Sequence, residues 1–379
     1  MDEKSNMTQK KQQVKAREVH LDLLRIISML LIVFLHSIDH SGVLETAEIS
    51  SVWMYGYVRY GYALTQVCVN CFVMLSGYFL VNSKFKLHKL AALWMETAFY
   101  SVVIKAIFMA AGRTPFSAVS LVSCLFPFLT GRYWFMTIYV GLYVLSPFLN
   151  KLIHSMDKRQ FTLLNIVLFF LMSAWVSIHP AIAGMNSGAG WGLPWFVTLY
   201  LAAAWFRLYY KPSGKAALKL AGFFAIPAVL ALGCIVTRQR GGLFGILGAM
   251  AENWYRYDSA PVYLATLCLF AGLLNLRIEG ERTTKLITAV SPLTFGVYLI
   301  HAHADLSPWS WEVLNLPKYM HSPAFPLIQL AAVLMIFAIC AALDWIRANT
   351  VGRMERSRWL SNICAKITDQ CSLWMERYM

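Results

Sequence analysis

Residues 21–40 of the chain read LDLLRIISMLLIVFLHSIDH, a run dominated by apolar side chains and long enough to cross a bilayer as one helix. Nine more segments of similar length and hydropathy follow, and a weaker apolar stretch at 116–129 predicts a re-entrant or interfacial piece. The pattern predicts an all-α integral membrane protein with about ten transmembrane helices. The predicted spans are residues 21–40, 60–81, 90–111, 133–153, 161–179, 191–210, 216–236, 259–276, 286–304 and 323–346.

The composition of the chain favours the same fold class and excludes several others. Of 379 residues, 58% are hydrophobic and 14% are charged, whereas soluble globular proteins have about 45–50% and about 25%. These values exclude a soluble enzyme, a disordered chain and a disulfide-stapled secreted module. A net charge of +14 suggests nucleic acid in a soluble protein, but here the basic residues fall in short loops between apolar segments. We therefore expect membrane lipids as partners, and no nucleic acid.

The distribution of Lys and Arg predicts the orientation. With the amino terminus inside, 24 of the 33 basic residues lie in cytoplasmic segments and 7 in outer segments, which fits the rule that inner loops are positive. We expect a multi-pass protein of the cytoplasmic (inner) membrane with both termini in the cytoplasm. The predicted parts are a cytoplasmic tail at 1–20, a membrane domain at 21–346 and a basic cytoplasmic tail at 347–379. The last part has the composition of an interfacial amphipathic helix.

Ionisable side chains within the first span are the main functional candidates, because charge inside a membrane is costly. Asp22 and Arg25 are three residues apart and can pair on one helical face. Arg25 and His36 are eleven residues apart, which is about three turns and a rise of about 16 Å on the same stripe. One face then offers an anion clamp at the cytoplasmic end and a general base deep in the membrane. Asp39, three residues beyond, is a candidate to orient the His36 ring.

Structural roles are the alternatives for these side chains. Asp22 and Arg25 fit an interfacial pair in which Arg25 extends to the headgroups. His36 fits a residue that hydrogen-bonds a neighbouring helix, and Asp39 fits a solvated residue at the outer helix end.

Several blocks of the sequence, taken together, resemble the acyltransferase-3 family of bacterial membrane acyltransferases, which O-acylate surface sugars. The first is Arg25, ten residues and then His36, preceded by LDLL at 21–24. The second is CFVMLSGYF at 71–79, which is similar to the family's FFxxSGY stretch. The others are YWF and its continuation at 133–150, and SPLTFGVYLIH at 291–301.

The resemblance implies a cytoplasmic acyl-CoA donor, most plausibly acetyl-CoA, and an acceptor hydroxyl on a surface glycan or a lipid-linked sugar. His36 is then the base or a transient acyl carrier, two routes that the sequence leaves open. After the second span, where the family often has Arg-x-x-Arg, this chain departs from the pattern: Lys86 and Lys89 have the spacing but not the residue type. Together with Lys84 and the Asp22–Arg25 pair, they would form a basic mouth for the polyanionic donor.

Polar groups on other spans are candidates to line the reaction cavity. Their alternative roles are helix–helix hydrogen bonds and, for the aromatic pair near Arg132, an interfacial belt. No metal is expected, because His301 and His303 point about 200° apart on a helix. The runner-up function is a transporter or flippase for a small solute or glycan lipid. The cavity candidates are Asn70, Ser76, Tyr78, Glu96, Tyr133, Trp134, Tyr298 and His301.

Overall fold

A computed structural model describes residues 17–178, 188–240 and 253–352. Within these ranges the chain is helical and has no β-strand. Most of the predicted tails, at 1–16 and 353–379, lie outside the described residues. The main helices are α1 Val19–Asp39, α2 Val43–Glu48, α3 Val52–Thr65, α4 Val67–Leu80, α5 Leu87–Ala110, α6 Ala118–Leu125, α7 Trp134–Ser155, α8 Lys158–Phe169, α9 Leu193–Tyr209, α10 Ala216–Arg240, α11 Ala260–Leu274, α12 Glu281–Val290, α13 Thr294–His301, α14 Leu306–Leu314 and α15 Phe325–Asn349. Helix α8 continues as a π-helical turn, Phe170–Ala174, and a short helix, Trp175–Ile178, and the 3₁₀ turn Ser291–Leu293 joins α12 to α13.

Eight helical segments in the described part of the chain are long and apolar enough to cross a membrane. Two more helices coincide with predicted spans but are shorter: α9 has 17 residues and α11 has 15. The all-helical, multi-pass membrane fold is therefore confirmed, while the count of ten spans and the cytoplasmic termini stay predictions.

The second predicted span, 60–81, begins too late. Helices α3 and α4 run on through Gln66 as one segment of 29 residues, Val52–Leu80. Its start is fixed by Ser51, whose Oγ accepts a hydrogen bond from the backbone N–H of Met54. Hydropathy gave no sign of this start, because Arg59 interrupts the apolar run. In the structure Arg59 is buried and forms an ion pair with Glu48.

The buried fraction of each helix separates the centre of the bundle from its lipid-facing rim. Within the apolar 18-residue stretch of each helix, 72% of the residues are buried in the Val52–Leu80 segment and 56% in α1, but only 28% in α7 and 22% in α15. Helix α9 packs against α4 at Gly77, where an added Cβ would lie 2.6 Å from the carbonyl oxygen of Tyr200. This contact explains the glycine of the SGY block, because only a residue without a side chain allows the two backbones to approach so closely.

The weaker apolar stretch at 116–129 contains the short helix α6. Phe116, Val119 and Leu129 are 79%, 81% and 85% exposed. An exposed apolar face on a short helix between two long apolar helices fits the predicted interfacial piece.

Candidate active site

One elongated cavity of about 530 Å³ lies among α1, α4, α7 and α13. Arg25 lines it near the start of α1, and His36, Asp39 and His40 line it near the end. Arg25 and His40 are fifteen residues apart on one helix, so the cavity follows α1 for about 22 Å. Between these ends the wall is mainly apolar, with Met29, Ile32, Leu35, Val69, Phe72 and Leu75 among its residues. The shape fits a long, thin ligand with a charged end.

The Arg25 end of the cavity is organised by Asp22. Arg25 Nη1 donates to Asp22 Oδ1 at 3.0 Å and to Ser291 Oγ at 3.0 Å. Ser291 Oγ donates to the same carboxylate oxygen at 2.8 Å, and Arg17 Nε donates to Asp22 Oδ2. Asp22 therefore acts within the protein to orient two guanidinium groups. Arg25 keeps 32% of its side chain exposed, so it remains accessible to an anionic ligand.

The three candidate lysines lie outside the cavity wall. Lys84, Lys86 and Lys89 are exposed on the connection after α4 and the first turn of α5. The backbone of Lys86 is fixed by Tyr143, whose hydroxyl accepts from its N–H and donates to its C=O, both at 3.1 Å. Tyr139, one turn before Tyr143 on α7, lines the cavity. The connection is thus anchored to a cavity-wall helix, while its lysine side chains extend to solvent.

Three histidines meet near the other end of the cavity. The His36 ring stacks on that of His40, with centroids 4.4 Å apart, and lies 5.0 Å from the ring of His301. His36 Nδ1 is buried without a hydrogen-bond partner among the described residues, which leaves Nε2 as the ring nitrogen available to a substrate. His301 Nδ1 is 2.6 Å from the carbonyl oxygen of Val297 and so carries the proton. His301 Nε2 is then a bare acceptor, buried and also without a partner in the described part of the chain.

Asp39 does not take the position predicted for a residue that orients His36. Its Oδ2 lies 3.8 Å from Nε2 of His40, and its side chain is 45% exposed at the end of α1. The ring closest to His36 on another helix belongs to His301, which comes from α13. Asp39 nevertheless lines the cavity, so a role at the acceptor end stays a prediction.

His303, beyond the end of α13, faces away from this group. Its Nε2 is 3.3 Å from the carbonyl oxygen of Ser101, and its Nδ1 accepts from the backbone N–H of Asp305. Burial away from water lowers its pKa below the usual value. His301 and His303 thus have separate partners, although His303 lies beyond the helix and the predicted helical angle between them does not apply.

Four of the cavity candidates lie on the cavity wall, and His301 lies behind His36. The four are Ser76, Tyr133, Trp134 and Tyr298. Tyr133 is fixed by a hydrogen bond from its hydroxyl to the carbonyl oxygen of Leu299. Their contacts with substrate stay predictions.

Asn70 is absent from the cavity wall, which corrects its predicted place. It is fully buried, donates to the carbonyl oxygen of Tyr257 at 2.8 Å, and accepts from the indole N–H of Trp195 at 3.0 Å. Asn70 therefore joins α4 to α9 and to the segment before α11, the helix-joining role that was its alternative.

Tyr78 and Glu96 also lie away from the cavity wall. The Tyr78 hydroxyl accepts a hydrogen bond from Arg207, whose guanidinium lies 4.7 Å from the Tyr78 ring. Glu96 forms an ion pair with Arg347, 2.8 Å away. Tyr78 and Glu96 thus provide polar partners for arginines on other helices. Which side chains meet in this way depends on how each helix is rotated in the bundle.

Sequence reasoning missed several cavity residues. The predicted spans leave Arg132 and Tyr257 in loops, yet both line the cavity. Trp191 stacks on Trp134 with ring centroids 4.4 Å apart, and both indoles line the cavity. The one available signal was the position of Arg132 directly before the Tyr133–Trp134 pair.

Residues 18–348 match the model of a family described as an acyltransferase domain, acyltransferase-3. The match covers most of the chain and includes the whole cavity wall. No curated protein and no solved structure matches the chain.

Proposed function

The chain belongs to the acyltransferase-3 family, and on that premise we propose that it transfers an acyl group, specifically acetyl, from cytoplasmic acyl-CoA at the inner membrane. The acceptor is a hydroxyl of a cell-surface glycan or of a lipid-linked sugar. The observation that carries the proposal is the single cavity that joins Arg25 to His36 and Asp39. A donor that enters at Arg25 and an acceptor that enters at Asp39 would meet beside His36.

Arg25 suits the charged end of the donor. It keeps its orientation through Asp22 and Ser291, and an oriented guanidinium binds phosphate through two parallel hydrogen bonds. Lys84, Lys86 and Lys89, exposed to solvent at the same mouth in this proposal, would raise the local concentration of a polyanion. The apolar middle of the cavity would then hold the thin pantetheine arm and exclude water from the thioester.

His36 suits the proton transfer that the reaction requires. Its Nε2 would take the proton of the acceptor hydroxyl as the oxygen attacks the thioester carbonyl. The carbon–sulfur bond then breaks, and the proton passes from His36 to the departing thiolate, which gives the ester and free CoA. A neutral imidazole can accept a proton at its bare nitrogen and then donate it again, so one side chain serves as both base and acid.

In this proposal His301 orients the His36 ring, the role that the sequence predicts for Asp39. The bare Nε2 of His301 and the unpartnered Nδ1 of His36 belong to rings 5.0 Å apart. A proton on His36 Nδ1, donated toward His301 directly or through water, would hold Nε2 of His36 as the base.

The test is release of free CoA from acetyl-CoA by the purified protein in nanodiscs. We expect slow hydrolysis or turnover by the wild type and none by His36→Ala. His321→Ala, which replaces an exposed histidine, should behave as the wild type.

Donor binding is measured separately, as thermal stabilisation by acetyl-CoA. Arg25→Gln should weaken it, whereas Arg277→Gln, at an exposed arginine, should not. Full activity of His36→Ala would disprove the role of His36. Folded wild-type protein that neither binds acetyl-CoA nor releases CoA with glycan acceptors present would disprove acyl-CoA as the donor.

A further inference from the structure

Arg132 differs from the other arginine of the cavity wall in its partners. The cavity wall includes two arginines, Arg25 and Arg132, and Arg25 has the carboxylate of Asp22 as its counter-ion. Within the described part of the chain, the Arg132 side chain donates hydrogen bonds to Ser120 and Ser123: to Ser120 O at 3.2 Å, to Ser120 Oγ at 3.1 Å, and to Ser123 Oγ at 2.8 Å from Nη2 and 3.3 Å from Nε. No carboxylate pairs with it among the residues that the structure describes.

Other arginines of the bundle show what Arg132 lacks. Ion pairs with acidic side chains hold Arg17, Arg25, Arg59, Arg207, Arg256 and Arg347. Ser120 and Ser123 offer Arg132 neutral oxygens, and the partial negative charge at the carbonyl end of α6, where Ser123 lies, is at most about half of a unit charge. A net positive charge therefore remains at a cavity wall, where the surroundings screen it less than water does.

The position of Arg132 joins this charge to the lipid-facing surface. Its hydrogen bonds hold α6, in which Val119 is 81% exposed, and the flanking residues Phe116 and Leu129 are 79% and 85% exposed. A short helix with such an apolar face lies at the boundary between acyl chains and headgroups. Arg132 therefore connects the interior of the cavity with the depth at which lipid phosphates lie.

We propose that Arg132 binds the phosphate of a lipid-borne acceptor, so that the substrate enters the cavity from the outer leaflet with its lipid chain along α6 and its hydroxyl-bearing group toward His36. The stacked pair Trp134 and Trp191 lies on the same wall and offers flat faces to that group. This inference rests on the proposed function because the bound lipid is an acceptor only if the protein transfers an acyl group. Binding of a lipid phosphate at Arg132 does not itself require acyl transfer.

Three matched probes separate the parts of the proposal: phosphatidic acid, the diacylglycerol of the same chains, and glycerol 3-phosphate. Binding to the purified protein in detergent is measured by native mass spectrometry. We expect the wild type to bind phosphatidic acid at least about ten-fold more tightly than diacylglycerol, since charge-assisted hydrogen bonds to phosphate have roughly that effect. Glycerol 3-phosphate, without the lipid chains, should bind at least about ten-fold more weakly than phosphatidic acid.

Variants assign the preference to one side chain. Arg132→Gln should remove the preference for phosphatidic acid, and Arg132→Lys should keep part of it, because the charge remains while the planar fork is lost. Arg113→Gln, at an exposed arginine that lies 5.8 Å from the Trp309 ring, should bind as the wild type. Should Arg132→Gln fail to fold, the wild-type comparison of the three probes and Arg132→Lys still decide the question.

Equal binding of phosphatidic acid and diacylglycerol would overturn the proposal, and so would an equal loss in Arg113→Gln. Glycerol 3-phosphate binding as tightly as phosphatidic acid would replace the lipid-borne ligand by a free phosphate ester. Lipid binding without acyl transfer would refute the proposed function alone, and acyl transfer without phosphate-dependent lipid binding would refute this inference alone.

Discussion

His36 and His301 lie in contact although α1 and α13 are far apart in the chain. Each ring has one nitrogen without a partner among the described residues, and the two rings are 5.0 Å apart. Buried polar atoms usually have hydrogen bonds, and these two neighbouring exceptions are the reason why His301 is paired with His36 in the proposed function. The fixed tautomer of His301, set by Val297 O, makes it the acceptor of the pair.

We therefore predict that His301→Gln lowers kcat for acyl transfer about ten- to hundred-fold, because His36 loses the group that fixes its tautomer. The KM for acetyl-CoA should change little, since Arg25 is untouched. The pH profile of kcat should also shift, which a merely structural role would not cause. An unchanged kcat and pH profile in folded protein would exclude this role.

Sequence reasoning at the residue scale succeeded where partners share one helix. Asp22 and Arg25 pair as their three-residue spacing predicts, because helical periodicity fixes which side chains are neighbours. It failed for Asp39. The three-residue spacing predicts His36 as the partner of Asp39, but in the structure its carboxylate lies next to the ring of His40. It also failed for Asn70, whose partners come from other helices.

At the scale of the element, α13 and α15 fit together through Gly296. An added Cβ at Gly296 would lie 2.1 Å from Cγ of Asp344. Asp344 is buried, accepts from the Tyr100 hydroxyl at 2.8 Å and pairs with Arg347 at 2.8 Å. The glycine of the sequence block at 291–301 thus makes room for a buried carboxylate that joins three helices.

Gly296→Ala should destabilise the protein by about 1–3 kcal/mol, because the new methyl group displaces Asp344 and overpacks the contact. The measurement is the thermal unfolding temperature in detergent. Gly233→Ala is the matched control, since Gly233 lies within α10 with nothing within 4 Å of the added Cβ, and alanine favours a helix there. Equal unfolding temperatures for the two variants would contradict the packing argument.

At the scale of the whole molecule, the predicted orientation in the membrane rests on the distribution of Lys and Arg among the loops. Labelling of introduced cysteines tests it directly. Ser83 lies in an exposed connection on the predicted cytoplasmic side, and Glu312 is exposed on the predicted outer side. The six cysteines in the described ranges are buried, except for the half-buried Cys268, so their background labelling should be low.

In intact cells, a membrane-impermeant maleimide should label Glu312→Cys and leave Ser83→Cys unlabelled until the cells are permeabilised. Each substitution replaces an exposed residue and should leave folding unchanged. The unsubstituted protein serves as the control for background. The reverse order of labelling would show that the charge-based orientation is wrong.

The sequence by itself determined the membrane class of the protein, the helices and the Asp22–Arg25 and His36 stripe, because hydropathy and helical periodicity act within a segment. The tertiary structure alone decided which polar groups face the cavity, because that depends on the rotation of each helix against its neighbours. It brought His301 to His36 and Arg132 to the cavity wall. It also places Tyr78 next to Arg207 and Glu96 next to Arg347. A charged side chain buried among helices needs a polar or oppositely charged partner, and here that partner lies on another helix.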